Sequence, residues 1–310
     1  MNITSTPFIL PKSTLSRVNL AFVRQIFNRL QCPIQTEMKG KFALITGSTG
    51  GIGKDTAHGL LERGIKTILV AREPKKLETL KNELIQSGIA EDLIFGICLD
   101  LSDLNTLSSI SSALSQILKD EKISILIENA GIWPTQFDTT KQGYEIAFGT
   151  NVLGHFVLRK KLFESDLLSS EARIVILTGD IYILEKNSTW DLKYNSSLGG
   201  VKAYCQSKLG NIWVARELQK RYPDLSVTIV HPGVISSGLG GAGSIGKFFK
   251  SFFMLDTTQG SQMSLFCATQ KEVSKGMYYH NAVGLAEFPE GDPALDEDKA
   301  SKYYDRLNSL

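Results

Sequence analysis

From Lys39 onward, short apolar runs alternate with longer segments of helical periodicity, and this alternation limits the fold more than any other feature of the sequence. The runs are nearly continuous in valine, isoleucine and leucine, as in strands that are buried on both faces of a parallel sheet. They span residues 42–46, 67–71, 93–98, 123–127, 173–178 and 226–231. Helices are predicted for residues 54–63, 75–88, 104–119, 144–163 and 203–222. This order predicts a doubly wound α/β fold with helices on both faces of the sheet.

The rest of the sequence gives no sign of a second folded unit. No repeat or low-complexity linker divides the 310 residues, so we expect one domain over residues 39–310 after an N-terminal extension over residues 1–38. A formal net charge of +2 indicates no nucleic-acid partner. The 4 cysteines and 4 histidines lie apart, without the spacing of metal ligands or of a disulfide framework, so we expect no metal site.

The N-terminal extension is basic and carries an apolar stripe. Residues 1–36 include no acidic residue, and the apolar residues that recur at helical spacing are Leu15, Val18, Phe22, Ile26 and Leu30. Three interpretations stand: a mitochondrial-type targeting segment, an amphipathic helix on a membrane surface, and an extension that docks on the protein's own surface. The cytoplasmic side of an intracellular membrane is the favoured location, with the mitochondrion as the alternative. No run reaches the roughly 18–20 apolar residues of a membrane span.

The first predicted strand runs into a glycine-rich turn, Thr46-Gly47-Ser48-Thr49-Gly50-Gly51-Ile52-Gly53, and a predicted helix follows. Gly47 permits a tight turn, Gly51 lets the backbone approach a pyrophosphate, and Gly53 lets the helix pack against the strand. Backbone N–H groups and the positive end of the helix then hold the phosphates. The position of the turn predicts a Rossmann-type dinucleotide site, and the alternative is a purely structural turn. The residues predicted to bind beside these glycines are Ser48, Thr49 and Ile52.

The end of the second predicted strand bears on the choice between NAD(H) and NADP(H). Enzymes that use NAD commonly place an acidic residue there to bind the ribose 2′-hydroxyl. This strand ends in Ala71-Arg72-Glu73, and the guanidinium of Arg72 suits a 2′-phosphate. We therefore expect NADP(H) in preference to NAD(H), although Glu73 argues the other way and Arg72 alone also fits a solvated charge at a helix start.

Tyr204 and Lys208 are four residues apart at the start of a predicted helix, which places both side chains on one face. A phenol with a pKa near ~10 is a poor acid or base at neutral pH. A nearby ammonium and the positive ring of an oxidised nicotinamide would lower that pKa, so that Tyr204 exchanges a proton while the cofactor exchanges a hydride. The same spacing also occurs in ordinary surface pairs.

Further motifs follow in the order found in one known family. They are Leu99-Asp100-Leu101-Ser102, Asn129-Ala130-Gly131, residues 150–156, residues 203–208 and Val230-His231-Pro232-Gly233. Together with the glycine turn and Ala71-Arg72, they make the chain resemble the short-chain dehydrogenase/reductase family, in particular its retinol dehydrogenase-like members, from Lys39 to about Gly284. The resemblance implies a single three-layer α/β/α domain of Rossmann type, a nicotinamide cofactor and oxidoreductase activity on an alcohol or carbonyl group.

The resemblance also implies roles for single residues. Tyr204 matches the family's acid/base, Lys208 matches the lysine that binds ribose and tunes the tyrosine, and Asn151 matches the asparagine that helps to hold a relay water. Positions that match cofactor-binding residues are Asp100, Leu101, Asn129, Ala130, Gly131, Pro232, Gly233 and Ser237. Homo-oligomers are usual in the family, so a homo-oligomer is one expectation for this chain.

One departure from the family concerns the serine that orients the substrate oxygen. The serine position falls on Gly179, and a shift of one residue would place Asp180 there. Three interpretations are open: Thr178 supplies the hydroxyl, Asp180 orients the substrate or takes part in proton transfer, or the site is impaired. Losing one donor that faces developing charge costs roughly 10²–10³ in rate. Glu128, at a position where asparagine is common, is a smaller departure.

The segment after Ser237 covers the substrate in the family. It contains a glycine-rich stretch, residues 238–243, and an aromatic stretch, residues 247–254. We interpret the aromatics as an apolar wall for a lipophilic retinoid, steroid or long-chain aldehyde or ketone. The alternatives are membrane-surface contact by residues 247–254 and a helix that only closes the core.

Two functions remain in competition. The first is an NADP(H)-dependent oxidoreductase that transfers a hydride to or from a lipophilic alcohol or carbonyl compound. The second is a catalytically impaired NADP(H)-binding sensor or scaffold, because the usual serine is replaced around Gly179 and Asp180.

Overall fold

The computed structural model describes residues 6–13, 15–17, 19–20, 24, 30–235 and 255–310. Within this part of the chain, one sheet has the strand order β1-β9-β8-β7-β6-β5-β2-β3-β4. Its strands are β1 Phe8–Ile9, β2 Phe42–Thr46, β3 Lys66–Ala71, β4 Ile94–Cys98, β5 Ile123–Glu128, β6 Leu168–Leu177, β7 Ser226–His231, β8 Tyr278–His280 and β9 Gly284–Glu287. Neighbouring strands are parallel except for the antiparallel pair β8 and β9. The strand order reverses between β2 and β5, where such folds open a crevice for a ligand.

Helices cover both faces of this sheet. They are α1 Gly51–Glu62, α2 Pro74–Gln86, α3 Ile110–Leu118, α4 Ile146–Phe148, α5 Gly154–Glu164, α6 Ser197–Arg221, α7 Thr257–Thr269 and α8 Glu297–Ser309. Successive residues of β2 point to opposite faces, and both faces are buried. Leu44 packs in the cluster that includes α3, α5, α6 and α8, whereas Ile45 packs in the cluster that includes α1, α2 and α7. The predicted doubly wound, three-layer α/β/α architecture is confirmed.

The elements differ from the predictions mainly at their ends. Predicted strands coincide with β2–β5 and β7 to within one residue, whereas β6 already begins at Leu168. The predicted helix over residues 104–119 is a 3₁₀ helix, Leu104–Ser109, followed by α3. The helix over residues 144–163 is α4, a wider π turn at Gly149–Leu153, and α5. The π turn places Thr150 and Asn151 beside the cavity described below, and such turns are frequent at functional sites.

The N-terminal extension contributes to the fold. Phe8 and Ile9 pair in parallel with Ala286 and Glu287 of β9, and Leu10 is buried. Arg17 is also buried, where its guanidinium donates to the Tyr182 hydroxyl at 2.6 Å and pairs with Asp292. In the apolar stripe, Leu30 is buried while Leu15 is 72% exposed, and Val18, Phe22 and Ile26 lie outside the described side chains. These contacts agree with docking on the domain for residues 8–17 and leave the targeting and membrane interpretations as predictions. Among the described helices, none combines the length and apolarity needed to span a bilayer.

Candidate active site

A cavity of about 1030 Å³ opens at the carboxyl ends of β2, β3, β5 and β6. It lies at the point where the strand order reverses, so the fold places it where a doubly wound sheet binds ligands. Most of the residues that the sequence analysis assigns to cofactor binding line it. They are Gly47, Thr49, Gly51, Ile52, Gly53, Arg72, Asp100, Leu101, Asn129, Ala130, Gly131, Tyr204, Lys208 and Pro232.

The glycine turn has the geometry of a phosphate cradle. Gly47 and Gly51 have φ angles of +66° and +54°, a backbone conformation that residues other than glycine rarely adopt. A Cβ on Gly53 would lie 2.2 Å from the carbonyl oxygen of Gly47, so helix α1 packs this close only because residue 53 has no side chain. A Cβ on Gly50 or Gly51 would meet nothing among the described residues within 4 Å, which leaves open space above the start of α1. The turn thus offers backbone N–H groups and a helix end to a pyrophosphate.

Thr46 fixes the loop that faces this turn. Its Oγ1 accepts the backbone N–H groups of Asn129 and Ala130, each at 3.0 Å, and lies 2.8 Å from Nε2 of His155. The carbonyl oxygen of Asn151 can only accept, so Nδ1 of His155 donates to it at 3.1 Å. In the neutral ring Nε2 then accepts from the Thr46 hydroxyl, which also lies 3.4 Å from the carbonyl oxygen of Ile127. Burial lowers the pKa of His155, which keeps the ring neutral for this arrangement. The chain of bonds ties β2 to the π turn.

The far end of the cavity carries the charges that concern the cofactor's ribose. Arg72, Glu73 and Lys76 all line it. Lys76 donates to the Glu73 carboxylate at 2.7 Å, and this hydrogen bond, opposed by a small desolvation and aided by Arg72, lowers the pKa of Glu73. Glu73 is therefore already paired, while the Arg72 side chain is 65% exposed and has only a 3.7 Å contact with Glu73. An anionic group at this end would meet an exposed guanidinium whose contact with Glu73 is long.

Tyr204 and Lys208 lie on one face of α6 and both line the cavity. Nζ of Lys208 is 5.4 Å from the centre of the Tyr204 ring and donates to the carbonyl oxygen of Leu177 at 3.3 Å. Burial raises the pKa of the Tyr204 phenol above its ordinary value, with a smaller contribution from Cys205. Burial also lowers the pKa of Lys208 to about 8. In the protein by itself the Tyr204 pKa is thus raised by burial and not lowered as the sequence led us to expect for the site with its cofactor, and the phenol stays protonated.

Asn151 holds the loop beside this pair. Its Oδ1 accepts the backbone N–H of Ile132 at 2.8 Å, and its Nδ2 donates to the carbonyl oxygen of Ile132 and to Oγ of Ser207. A Cβ on Gly131 would lie 3.5 Å from Oδ1 of Asn151 and 3.6 Å from Nζ of Lys208, so the three positions adjoin. The side chain is fully buried and does not itself line the cavity.

Other predicted site residues have different surroundings. Ser48 is buried, and its Oγ donates to the carbonyl oxygen of Val70, away from the cavity. Gly233, with a φ of +97°, follows Pro232 but is not among the lining residues. Ser237 and residues 238–254, which include the predicted substrate cover, lie outside the described residues.

Asp180 lies in a buried cluster with two histidines. Its Oδ1 accepts the Tyr278 hydroxyl at 2.6 Å, and its Oδ2 lies 3.0 Å from Nε2 of His280. Burial disfavours the ionised carboxylate, yet His231, His280 and Tyr278 together hold its pKa below the ordinary value. Side-chain atoms of Asp180, His231 and His280 lie within 4.8 Å of one another, an arrangement that the sequence could not show because the three residues are far apart in the chain. Asp180 does not line the cavity, and its oxygens are engaged here.

Two other features have direct explanations. Glu128, the smaller departure from the family, forms a buried ion pair with Arg159 of α5. Thr178 lines the cavity, and its hydroxyl donates to the carbonyl oxygen of Lys208 at 2.9 Å. The Thr178 hydroxyl, one of the proposed substitutes for the serine, is therefore already hydrogen-bonded to the backbone of α6.

The loop that forms one wall of the cavity carries no motif that would assign it a role from the sequence. Residues Ile132, Pro134, Thr135, Gln136 and Phe137 line it, and the aromatic ring of Trp133 stacks on that of Tyr204 with centroids 4.5 Å apart and planes inclined by 8°. The only signal for this role is position, since the loop directly follows Asn129-Ala130-Gly131. The stack covers one face of the phenol with an apolar surface.

These residues fit a dinucleotide. The cavity has the volume, the glycine turn has the open space and the N–H groups, and Arg72 and Lys208 supply positive charge at its two ends. Beside the cradle, the half-buried phenol of Tyr204 and the buried amine of Lys208 can donate a proton to a substrate oxygen. The arrangement suits hydride and proton transfer at a carbon–oxygen bond.

The sequence is similar to characterised proteins over most of its length. The family profile described as short chain dehydrogenase matches residues 41–243. Retinol dehydrogenase 11 of Mus musculus is 35% identical over 270 residues, which cover 85% of this chain and 82% of that protein. Retinol dehydrogenase 13 of Homo sapiens is 31% identical over 313 residues, which cover 96% of this chain and 93% of that protein.

Solved structures share the fold. A protein from Mycobacterium Paratuberculosis has a TM-score of 0.71 and 23% identity, covering 91% of this chain and 98% of that one. L-Sorbose reductase from Gluconobacter frateurii, solved with NADPH and L-sorbose, has a TM-score of 0.63 and 17% identity, covering 79% of this chain and 96% of that one. At these identities the likeness concerns the fold alone.

Proposed function

The chain belongs to the short-chain dehydrogenase family and is an NAD(P)-dependent oxidoreductase that acts on alcohol groups, and from this premise we propose that it interconverts a lipophilic alcohol and its carbonyl compound with NADP(H). The observation that carries the proposal is the placement of Tyr204 and Lys208 on one face of α6, beside the glycine turn and in the same cavity.

Tyr204 is the proposed acid/base. When bound, the nicotinamide cofactor supplies a hydride to the carbonyl carbon or accepts one from the alcohol. Because burial raises the pKa of Tyr204, the phenol is protonated at neutral pH and can donate its proton to the carbonyl oxygen during reduction. Trp133 covers one face of the phenol, which keeps water from that side.

Lys208 balances the charge that the proton transfer leaves behind. Its ammonium lies over the Tyr204 ring at 5.4 Å from the ring centre, so a phenolate that forms during reduction is stabilised by an adjacent cation in a buried setting. A pKa of about 8 keeps most of the lysine charged at pH 7. Asn151 contributes indirectly, because it holds the Ile132 backbone and Ser207 in place around this pair.

The preference for NADP(H) rests on the far end of the cavity. Glu73 is paired with Lys76, so it is a poor partner for a ribose 2′-hydroxyl, whereas Arg72 is exposed and its contact with the Glu73 carboxylate is a long one of 3.7 Å. A 2′-phosphate would gain a charge-assisted hydrogen bond from Arg72.

The substrate class follows from two observations. Several curated relatives over most of the chain are named retinol dehydrogenases, and the loop beside Tyr204 offers Ile132, Trp133 and Phe137. A lipophilic retinoid, steroid or long-chain aldehyde or ketone matches that wall better than a sugar does.

An NADP(H)-binding sensor or scaffold remains the second candidate. It is favoured by Gly179, which has no side chain, and by the Thr178 hydroxyl, which is already bonded to the carbonyl oxygen of Lys208. This candidate requires cofactor binding without turnover.

The test measures oxidation of NADPH and NADH with a panel of retinoid, steroid and long-chain carbonyl substrates. Wild-type protein should turn over at least one of them with NADPH, and Tyr204→Phe should lower the rate at least ~10²-fold because the proton donor is lost. Arg72→Ala should weaken NADPH binding by about tenfold or more and leave NADH binding unchanged. Wild type and Tyr204→Phe that bind NADPH equally well and are equally inert would favour the sensor.

A further inference from the structure

His231 is a buried imidazole whose ring contacts that of His280, with centroids 4.5 Å apart. It ends β7, directly before the cavity-lining Pro232, and is 6% exposed. Neither ring nitrogen has a hydrogen-bond partner among the described residues. Burial lowers the pKa of His231 to about 4, so the ring is neutral at pH 7 and presents one N–H donor and one bare acceptor. Leaving such a group unsatisfied is unfavourable, so a partner other than the described residues is expected for it.

The space beside His231 is open on the side of Gly179. A Cβ built on Gly179 would lie 3.8 Å from Nδ1 of His231 and would meet no other described atom within 4 Å. Gly179 has an extended φ of −165°, which any residue adopts, so its conformation does not demand glycine. It directly follows Thr178, which lines the cavity with Tyr204 and Lys208. Gly179 and His231 do not themselves line the cavity, but each is next in the chain to a residue that does, Thr178 and Pro232 respectively.

The neighbouring cluster does not supply the missing partner. Nδ1 of His280 accepts the backbone N–H of Ala282 at 3.0 Å, so the His280 proton is on Nε2 and is donated to Oδ2 of Asp180. Tyr278 donates to the other carboxylate oxygen. A metal ion at Nε2 of His280 would have to displace that proton while Nδ1 still accepts a bond, whereas metal-bound histidines normally donate from the second nitrogen. The cluster therefore suits a fixed carboxylate–imidazole pair and leaves His231 for another ligand.

We propose that His231 binds the reacting oxygen of the substrate through the gap beside Gly179. An oxygen at 2.7–3.2 Å from Nδ1, the ordinary hydrogen-bond range, lies close to the point that a Cβ on Gly179 would occupy. A neutral imidazole N–H polarises a carbonyl oxygen without giving up its proton, which leaves proton donation to Tyr204. Glycine at position 179 keeps the gap open, so that the imidazole reaches the substrate oxygen in a site where no serine hydroxyl stands. The proposal rests on the proposed function and names a further residue for the same reaction.

The experiment compares four variants with wild type and Tyr204→Phe, using NADPH and the carbonyl substrate that the wild type reduces best. His231→Leu should lower kcat by roughly 10²-fold while the Kd for NADPH changes less than about twofold, because a donor to the transition state is lost. His231→Asn keeps a donor and should recover about tenfold of that loss. Gly179→Ala places a methyl group in the gap and should lower kcat/KM by at least about tenfold, whereas Gly179→Ser, whose hydroxyl can itself bond to Nδ1, should stay closer to wild type.

The outcomes separate the role of His231 from the proposed function. Should His231→Leu fold and keep kcat within about twofold of wild type while Tyr204→Phe is inactive, the role of His231 is refuted and the proposed function stands. If His231→Leu fails to fold, the kinetics of Gly179→Ala decide instead. A Gly179→Ala variant with wild-type kinetics overturns the proposal. A wild type no faster than Tyr204→Phe overturns both.

Discussion

The burial of the Lys208 ammonium is unfavourable for folding. The ammonium is buried, the burial lowers its pKa to about 8, and the hydrogen bond found for it goes to a backbone carbonyl at 3.3 Å. Such a group opposes folding, since a buried charge without a carboxylate partner loses its hydration. Active sites retain groups of this kind because the chemistry needs them.

The pKa of Lys208 predicts how cofactor affinity depends on pH. The ammonium is charged below about pH 8 and neutral above it, and only the charged form donates to ribose hydroxyls with full strength. The Kd for NADPH should therefore rise as the pH passes upward through about 8, with the slope of one proton. Titration of NADPH fluorescence between pH 6.5 and ~9.5 measures this.

Lys208→Met is the matched variant. It should bind NADPH more weakly at pH 7 and show no inflection near pH 8. An inflection of the same size in Lys208→Met would assign the pH dependence to another group.

At this scale the sequence predicted the residues that belong to motifs and missed those that depend on the fold. Tyr204, Lys208 and the glycines could be found because their spacing along the chain carries the geometry. His155, His231 and His280 could not, because each obtains its neighbours from a different strand or helix. His231 lies beside His280 because of the register between β7 and β8, which the sequence does not reveal.

Among the elements, the turn from β2 into α1 has the tightest steric limits. A Cβ on Gly53 would lie 2.2 Å from the Gly47 oxygen and 2.4 Å from Nδ2 of Asn129, and neither group is free to move. At Gly50 the backbone is extended and a Cβ meets no described atom within 4 Å. Gly53 is thus required for the close packing of α1, whereas Gly50 leaves space open above the turn.

Alanine substitutions separate those two roles. Gly53→Ala should lower the free energy of unfolding by about 1–3 kcal/mol or more, because the added methyl overlaps backbone. Gly50→Ala should lower it by less than about 1 kcal/mol, since only a helix-cap preference changes. Urea unfolding of both variants checks this, and equal losses would show that the packing at Gly53 is looser than described.

The elements that the sequence left undetected have weak local signals. Strands β1, β8 and β9 are 2–4 residues long, too short for an apolar run to stand out. Helix α7 is rich in small polar residues and shows little amphipathic pattern. Helix α8 is the exception, because its buried residues Ala300, Tyr303, Tyr304 and Leu307 recur at helical spacing. By contrast, each of the parallel strands β2–β7 contains a nearly continuous apolar run, and this pattern alone predicted their positions, although β6 begins earlier than its run.

Over the whole molecule, the N-terminal extension is joined to the domain by a buried ion pair. Arg17 and Asp292 both have fully buried side chains, and Tyr182 contacts each of them. The pair links residues at opposite ends of the chain across the edge of the sheet. Residues 8–17 are therefore expected to contribute to the stability of the domain, whether or not the extension also acts as a targeting segment.

Arg17→Met tests this contribution. The substitution leaves the Asp292 carboxylate buried without its cation and should lower the free energy of unfolding by about 3–5 kcal/mol. Lys12→Met, which removes an exposed charge from the same segment, should change it by less than about 0.5 kcal/mol. Denaturant unfolding of the two variants is the measurement. Equal stabilities would mean that the segment does not dock as the structure has it.

The most direct test of the account follows the hydride itself. NADPH that carries deuterium at the transferring position of the nicotinamide is incubated with the protein and a lipophilic aldehyde or ketone, and the alcohol product is analysed by mass spectrometry. One deuterium should appear in each product molecule with the wild type, and none above background with Tyr204→Phe. Oxidation of NADPH without deuterium in the product, or equal labelling by both proteins, would contradict a reaction centred on Tyr204.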